Sequence, residues 1–381
     1  MSAINMYDPS VIALKALKSL GLLKILPTLY ANFLSGFGFI NKQQKSLTTD
    51  ELKIKIHLMS VVLAVTPSRD LGLDILSVQQ NRQDYLPFML EGLAFKYFNK
   101  NSHKRLKQEL VKTIQPLDCP TRISMLYIGT GMSMGVNYGR KFLKAKKVSE
   151  QKQIVDQYIQ EGLEHGEPDY IGCLMEPLGL ISLTHLKKGA TFLNEFSSHM
   201  LINPRLNQEE RQHYLALMYH GLGRGIYFGP NSFIPCRNWK YRVLDDLVKT
   251  MKVVDEHFST QPNGENEKQI CLSNLIAGFF WAVCATSLKN SRVLVDYLQT
   301  TQKDYAQIWQ WQDAIKGGIS TNLYMLKACK EDGDIDNLWP IFWERNQGNQ
   351  KMDIWQKWVY EPTFQYLAEN QTIATDRVYR V

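Results

Sequence analysis

The segment that most constrains the fold is 123–141, ISMLYIGTGMSMGVNYGRK, because its glycines allow two incompatible structures. As strand, turn and helix, Gly129, Gly131 and Gly135 would form a phosphate-cradling turn of the dinucleotide or methyl-donor type. As one helix, Gly131, Gly135 and Gly139 recur every four residues and form a groove of small residues that receives a neighbouring helix. The rest of the chain decides between the two structures.

The remaining sequence favours the helix. A doubly wound sheet needs several β-branched strands that alternate with helices, whereas this chain has few such stretches and many runs with helical period. The acidic residue expected about 20 positions after a dinucleotide-binding turn has only Glu150 and Asp156 as weak counterparts. We therefore predict a mainly α, multi-helical single domain, and the pattern also allows helical-hairpin repeats.

Apolar patterning and breakers divide the chain into three regions. Residues 1–48 are predicted to form N-terminal amphipathic helices, 49–300 a helical core with the glycine motifs, and 301–381 a Trp-rich helical region packed on that core. Residues 9–26 are basic and amphipathic, so they could contact a membrane peripherally or pack as a core helix. The apolar run 270–288 is close to the lower length limit for a membrane span, and we predict a core helix there.

Charge and cysteine content limit the partners and the compartment. The net charge of +7 is spread along the chain, which suits a mildly basic surface and does not predict a nucleic-acid groove. The six cysteines form no C-x-x-C pair and have no histidine at ligand spacing, so neither a zinc site nor a disulfide framework is predicted. With no secretory signal pattern, this composition indicates a cytoplasmic protein without a metal or cofactor.

The densest group of candidate site residues lies in 220–242, HGLGRGIYFGPNSFIPCRNWKYR. Arg224 and Arg237 each offer a planar fork of donors suited to a carboxylate or phosphate. His220 could transfer a proton near neutral pH. Tyr227 adds an aromatic surface for a substrate. These residue types predict chemistry without specifying a reaction.

Glu91 lies in the middle of 85–98, a stretch that is apolar and aromatic on nearly every side. An unpaired buried charge is too costly, so this carboxylate must be paired, protonated or facing a cavity. It is either a general acid or base, or a structural carboxylate in a salt bridge or cap. The arginines of 220–242 have a structural alternative too, because they could pair with nearby acids such as Asp245 and Asp246 at a junction between helix and loop.

Three segments resemble, in the same order, motifs of an uncharacterised bacterial family whose members are often encoded beside enediyne polyketide biosynthesis genes. They are FMLEGLAFKYF at 88–98, MLYIGTGMSMG at 125–135 and YHGLGRGIYF at 219–228. The GLGR motif and its following aromatic residue are the most specific part, and the resemblance covers roughly 86–285. It implies natural-product or lipid-like metabolism rather than a particular mechanism.

The chain departs from this family pattern at two places. Met132 and Ser133 stand where the family usually has Trp-Ala, and 177–181, PLGLI, stands where the family has a motif similar to G-Y-G-F-H. If the histidine of that motif is catalytic in the family, this chain lacks it there, and His185 would be a displaced substitute.

These residues predict a biosynthetic enzyme or accessory protein that acts on an apolar polyketide, polyene or lipid-like intermediate in an aromatic-lined helical cavity. Glu91 and His220 would transfer protons, while Arg224, Arg237 and Tyr227 would bind the substrate. A second hypothesis is a helical scaffold that binds a protein partner through a Trp-rich surface. A third is a nucleotide- or methyl-donor-dependent transferase that uses the GTGMSMG stretch.

Overall fold

The computed structural model describes residues 26–38, 40, 42–64, 71–75, 86–100, 120–233, 239–261, 264–287, 290–328 and 353–369. Within these residues the chain is helical and contains no strand, which confirms the mainly α prediction. Almost all of the amphipathic segment 9–26 lies outside the described residues, as do Arg237, Trp339 and Trp343.

The helices are α1 (Leu26–Gly36), α2 (Lys42–Ala64), α3 (Leu86–Lys100), α4 (Pro120–Lys144), α5 (Val148–His165), α6 (Ile171–Thr184), α7 (Gly189–Leu201), α8 (Gln208–Phe228), α9 (Trp239–Ser259), α10 (Gly264–Ser287), α11 (Arg292–Asp304), α12 (Ala306–Trp309), α13 (Gln312–Ala328), α14 (Asp353–Trp355) and α15 (Glu361–Glu369). A π-helical turn, Gln356–Tyr360, joins α14 to α15. Short 3-10 turns occur at Pro168–Tyr170 and Pro230–Phe233.

The helices form an inner row and a set of returning helices. The inner row is α3, α4, α6, α8, α10 and α13, and each of these helices packs against the next. Four other helices, α5, α7, α9 and α11, return the chain between successive inner helices. The inner helices α4, α6, α8 and α10 run parallel, because the contacts between neighbours advance along both helices in the same direction. Gly131 and Gly135 of α4 lie against Leu174 and Ile181 of α6, and Gly221 and Gly225 of α8 lie against Glu176 and Leu180 of α6. His220 and Tyr227 of α8 meet Gly278 and Thr286 of α10 in the same order. This alternation agrees with the predicted helical hairpins.

Glycines allow the inner helices to approach until their backbones touch. A Cβ atom built at Gly131 would lie 2.6 Å from the carbonyl oxygen of Leu174, well inside contact distance. The prediction that Gly131, Gly135 and Gly139 receive a neighbouring helix is confirmed. That helix is α6 at Gly131 and Gly135, and Gly139 contacts Leu186, two residues beyond the end of α6. Equivalent overlaps with a neighbouring inner helix would occur at Gly129, Gly179, Gly221, Gly223, Gly278 and Gly318.

The whole of 123–141 lies within α4, as the favoured helical alternative predicts, so the alternative phosphate-cradling turn does not form. Gly129 packs against the backbone of Glu91 in α3, and Gly131 packs against α6. The backbone N–H groups of these glycines are inside a helix, so they cannot surround a phosphate as a turn does. The structural basis for a nucleotide- or methyl-donor-dependent transferase is therefore missing from this stretch.

Two helices continue through residues that disfavour a helix. α8 extends to Phe228, although glycine at 221, 223 and 225 lowers its intrinsic helix propensity. Pro177 lies inside α6. In both helices, packing against neighbouring helices outweighs local propensity.

The described tryptophans of the C-terminal region pack inside the molecule. Trp355 and Trp358 are buried, and the ring centroids of Trp309 and Trp358 are 3.9 Å apart. α10 is the one described helix long and apolar enough to cross a membrane, with a mean hydropathy of 1.6. Because 89% of that window is buried inside the molecule, α10 has the burial expected of the predicted core helix.

Candidate functional site

Glu91, His220 and Arg224, three of the predicted site residues, converge in the interior with Glu176. Arg224 donates from one terminal nitrogen to Oε1 of Glu176 at 2.8 Å and from the other to Oε2 of Glu91 at 3.2 Å. Nδ1 of His220 lies 2.9 Å from the same Oε1 of Glu176. We call these four residues the ion cluster, and their side chains are at most 3% exposed.

Helix packing explains why the four residues meet. His220 and Arg224 are four positions apart on α8, so their side chains share one face of that helix. The backbone of Glu176 touches Gly221, between those two residues, and the backbone of Glu91 touches Gly129 in α4. The glycine contacts therefore set the spacing of α3, α6 and α8 at the level of the cluster.

An aromatic side chain from α10 completes the surroundings of the ion cluster. The guanidinium carbon of Arg224 lies 4.4 Å from the ring centroid of Trp281, a cation–π distance. The His220 ring meets Trp281 edge to face with centroids 6.0 Å apart, and Phe88 of α3 lies 6.1 Å from Trp281. The cluster thus has charged groups on α3, α6 and α8 and an aromatic wall on α10.

The surroundings shift the pKa values of the Glu91 and Glu176 carboxyl groups in opposite directions. Burial raises the pKa of Glu91, and the charge of Glu176 adds to this shift, while Arg224 opposes it. Burial would also raise the pKa of Glu176, but Arg224 and His220 outweigh that effect and hold the pKa at about 2. Glu176 therefore stays ionised, and Glu91 is the carboxyl group of the pair that more readily holds a proton.

Oε2 of Glu176 and Nε1 of Trp281 are buried polar atoms that make no hydrogen bond within the described part of the chain, and each is less than 1 Å² exposed. A buried carboxylate oxygen is a strong acceptor and an indole N–H is a donor, and leaving either unused is costly. The described residues thus leave an acceptor on Glu176 and a donor on Trp281 without a hydrogen-bond partner.

Tyr227, also predicted to bind substrate, lies farther along α8 in a second buried polar group. Its hydroxyl donates to Oε1 of Glu51 at 2.7 Å and lies 2.6 Å from the Thr286 hydroxyl. Tyr297 of α11 donates to the same Glu51 oxygen at 3.0 Å, and Nζ of Lys55 lies 4.0 Å above the Tyr227 ring. These residues join α2 to α8, α10 and α11 and are separate from the ion cluster.

Lys55 should give the chain a distinctive dependence of stability on pH. Burial lowers the pKa of Lys55 from 10.5 to about 7, against the opposing effect of Glu51. Between these two values the unfolded chain binds more protons than the folded chain, so this group makes the free energy of unfolding rise with pH. We expect a contribution of up to about 1.4 kcal/mol per pH unit, which the Lys55→Met variant lacks.

The measurement is urea unfolding of both proteins from about pH 7 to about pH 9, where the titration of cysteines in the unfolded chain is common to both proteins and cancels in their difference. The difference in slope between wild type and Lys55→Met isolates this one group. Identical slopes in the two proteins would show that Lys55 keeps an ordinary pKa.

Sequence reasoning missed Glu176 and Trp281 as site residues. Glu176 lies in GCLMEPLGL, an apolar setting like that of Glu91, and the same argument about buried charge applied to it. Trp281 gave no signal, since every neighbour in its helix is apolar. The structural alternative for the arginines is wrong for Arg224, which pairs with acids from α3 and α6.

His185, considered as a displaced catalytic histidine, does not join the ion cluster. It follows α6, where its Nδ1 lies 2.9 Å from the Thr184 hydroxyl and its ring packs edge to face on Phe95. His220 is therefore the histidine of the candidate site.

Among the described residues, no group of three or more His, Cys, Asp or Glu side chains is placed to bind a metal ion. Comparison of the chain with protein-family models, with curated proteins and with solved structures found no match in any of the three.

Proposed function

We propose that the chain is an enzyme that transfers a proton to or from an apolar small molecule at the ion cluster. The observation that carries this proposal is the unused hydrogen-bonding capacity of Glu176 Oε2 and Trp281 Nε1 beside a buried carboxyl group with a raised pKa. Shifted carboxyl groups and unsatisfied buried polar atoms are features that functional sites share. A purely structural ion pair does not need a buried acceptor and a buried donor that are left without partners.

Each member of the cluster has a role in this mechanism. Glu91 is the general acid or base, because its raised pKa brings it nearer to the pH at which it works. Glu176 fixes the orientation of the His220 ring through Nδ1, as a carboxylate does in other acid–base sites, so that proton transfer by His220 falls to Nε2. Arg224 balances the charge of the two carboxyl groups and stabilises negative charge that develops on the substrate.

The substrate class follows from the walls of the site. Trp281 borders the ion cluster, Phe88 packs on Trp281, and the residues around both rings on α3 and α10 are mostly apolar. Apolar and aromatic surroundings of this kind suit a polyketide, polyene or lipid-like intermediate with one polar group. Neither alternative function gains support, because the described tryptophans pack internally and GTGMSMG is helical.

The Glu91→Gln variant should fold but lose its small molecule or its turnover. Glutamine keeps the shape of the side chain and an oxygen for Arg224, and it cannot exchange a proton. We expect a change in the free energy of unfolding of about 1 kcal/mol, against an order-of-magnitude or greater loss of function. The measurement is native mass spectrometry of protein purified from its own host, with solvent extraction and identification of released molecules, followed by turnover of the molecule found.

The matched control is Glu161→Gln, which changes a half-buried glutamate on α5 that accepts a hydrogen bond from Tyr138. This variant should keep both the bound molecule and its turnover. Wild-type protein that carries no apolar molecule would contradict the proposal. Parallel loss of thermal stability and function in Glu91→Gln would mark Glu91 as a structural residue.

A further inference from the structure

Six exposed lysines gather around two turns at one end of the molecule. Lys141, Lys144, Lys146 and Lys147 lie at the end of α4 and in the turn that follows, and Lys187 and Lys188 lie in the turn after α6. We call these six residues the lysine end. None of them forms an ion pair within the described part of the chain. The sequence has no acidic residue in 140–149 or 185–189.

The packing of α4 on α6 brings the two turns together. Gly139, near the end of α4, lies against Leu186, which directly precedes Lys187. Because α4 and α6 run parallel, their C-terminal ends face the same side of the molecule. The nearest acid in sequence, Glu150, is already used to accept a hydrogen bond from the backbone of Lys146.

Exposed acids lie at the opposite end of the molecule. Asp169, Glu209 and Glu265 lie near the starts of the parallel helices α6, α8 and α10. Helix dipoles favour acids at helix starts and cations at helix ends, which explains one or two charges per helix. They do not explain four lysines within 141–147, most of all Lys146 and Lys147, which lie beyond the last turn of α4.

Apolar side chains are exposed among these lysines. Val148 is 70% exposed and Leu143 is 37% exposed. Cations with interspersed apolar residues are the composition of surfaces that lie on anionic lipid, where the lysines meet headgroups and the apolar side chains enter the interface. A lipid surface supplies negative charge without fixed spacing, so lysines from two separate turns can all contribute at once.

We propose that the chain docks on an anionic lipid surface through the lysine end. This inference rests on surface charge and exposure alone and does not depend on the proposed chemistry at the ion cluster. It would place the protein at the phase in which an apolar substrate concentrates.

The test is co-sedimentation of the full chain with vesicles of phosphatidylcholine alone and of phosphatidylcholine mixed with phosphatidylserine. Binding should require phosphatidylserine and weaken as salt is added. The triple variant Lys144→Glu/Lys146→Glu/Lys147→Glu should lower the partition coefficient on the order of 100-fold or more, at about 1 kcal/mol per cation. Leu143→Ser/Val148→Ser should lower it by about tenfold.

The matched control, Lys249→Glu/Lys252→Glu/Lys303→Glu, makes the same change of charge at exposed lysines of α9 and α11. It should keep binding within about threefold of wild type, and thermal unfolding verifies that both triple variants are folded. Failure of folded wild-type protein to bind anionic vesicles would overturn the proposal, as would equal losses in the two triple variants. If Leu143→Ser/Val148→Ser binds vesicles like wild type and soluble polyglutamate competes fully, the partner is an acidic protein surface and the lipid assignment is wrong.

Discussion

Replacing Arg224 by methionine should destabilise the folded chain by about 3–5 kcal/mol. The guanidinium group reaches both buried carboxyl groups, at 2.8 Å from Glu176 and 3.2 Å from Glu91. Without it, Glu176 keeps only the hydrogen bond from His220, and both carboxyl groups remain desolvated. The loss is measured as the difference in the free energy of unfolding between wild type and variant in urea.

Arg205→Met is the matched control. Arg205 also pairs with a carboxylate, Asp156 at 3.0 Å, but both side chains are over one third exposed. Exposed ion pairs contribute up to about 1 kcal/mol, so this variant should lose no more than that. If the two variants lose equal stability, burial does not strengthen the dependence of Glu176 and Glu91 on Arg224.

The same variant should change the response to acid. The folded-state pKa of Glu176 is about 2, below its ordinary value of 4.5, so this group contributes stability above pH 4.5 that is lost as the pH falls towards 2. Because Arg224 is the main cause of the low pKa, Arg224→Met should flatten the pH dependence of stability in this window. An unchanged acid response would show that His220 alone keeps Glu176 ionised.

The helical fold class could be predicted from the sequence, because apolar residues recur with helical period and glycines recur every four residues. The length of α8 could not be predicted, since glycine at 221, 223 and 225 predicts a turn when only local propensity is considered. The close approach of α6 and α10 to those glycines is a tertiary effect. Packing on both sides supplies the stabilisation that local propensity lacks.

The candidate site was predictable residue by residue but not as a cluster. Glu91 stood out as a carboxylate in an apolar stretch, and His220 and Arg224 share one helix face. Arg224 and Glu91 are 133 positions apart, and Arg224 and Glu176 are 48 positions apart, so their pairing depends on the order of helices in the inner row. No pattern within a single helix encodes that order.

The geometry of the ion cluster therefore depends on the close helix packing at the glycines. The backbone contact between Gly221 and Glu176 fixes the distance between α6 and α8, and that distance sets the lengths of the bonds from Glu176 to His220 and Arg224. A shift of the helices by about 1 Å would stretch hydrogen bonds that weaken steeply with distance and angle. His220 and Arg224 of α8 alternate with glycines, and the close helix contact at those glycines brings Glu176 within reach of both side chains.

The Gly221→Ala variant tests this coupling and should lose about 2–4 kcal/mol of stability. Alanine is the better helix former, so local propensity predicts a gain, but the new Cβ would overlap the carbonyl oxygen of Glu176 and force α6 and α8 apart. The matched control is Gly162→Ala in α5, where the nearest atom would be 3.5 Å away, and it should gain about 0.5–1 kcal/mol. If close backbone contact is required at Gly221, urea unfolding will show a lower free energy of unfolding for Gly221→Ala and a higher one for Gly162→Ala, each relative to wild type. A gain in both would mean that α6 and α8 can separate freely, and the geometry of the ion cluster would then need another cause.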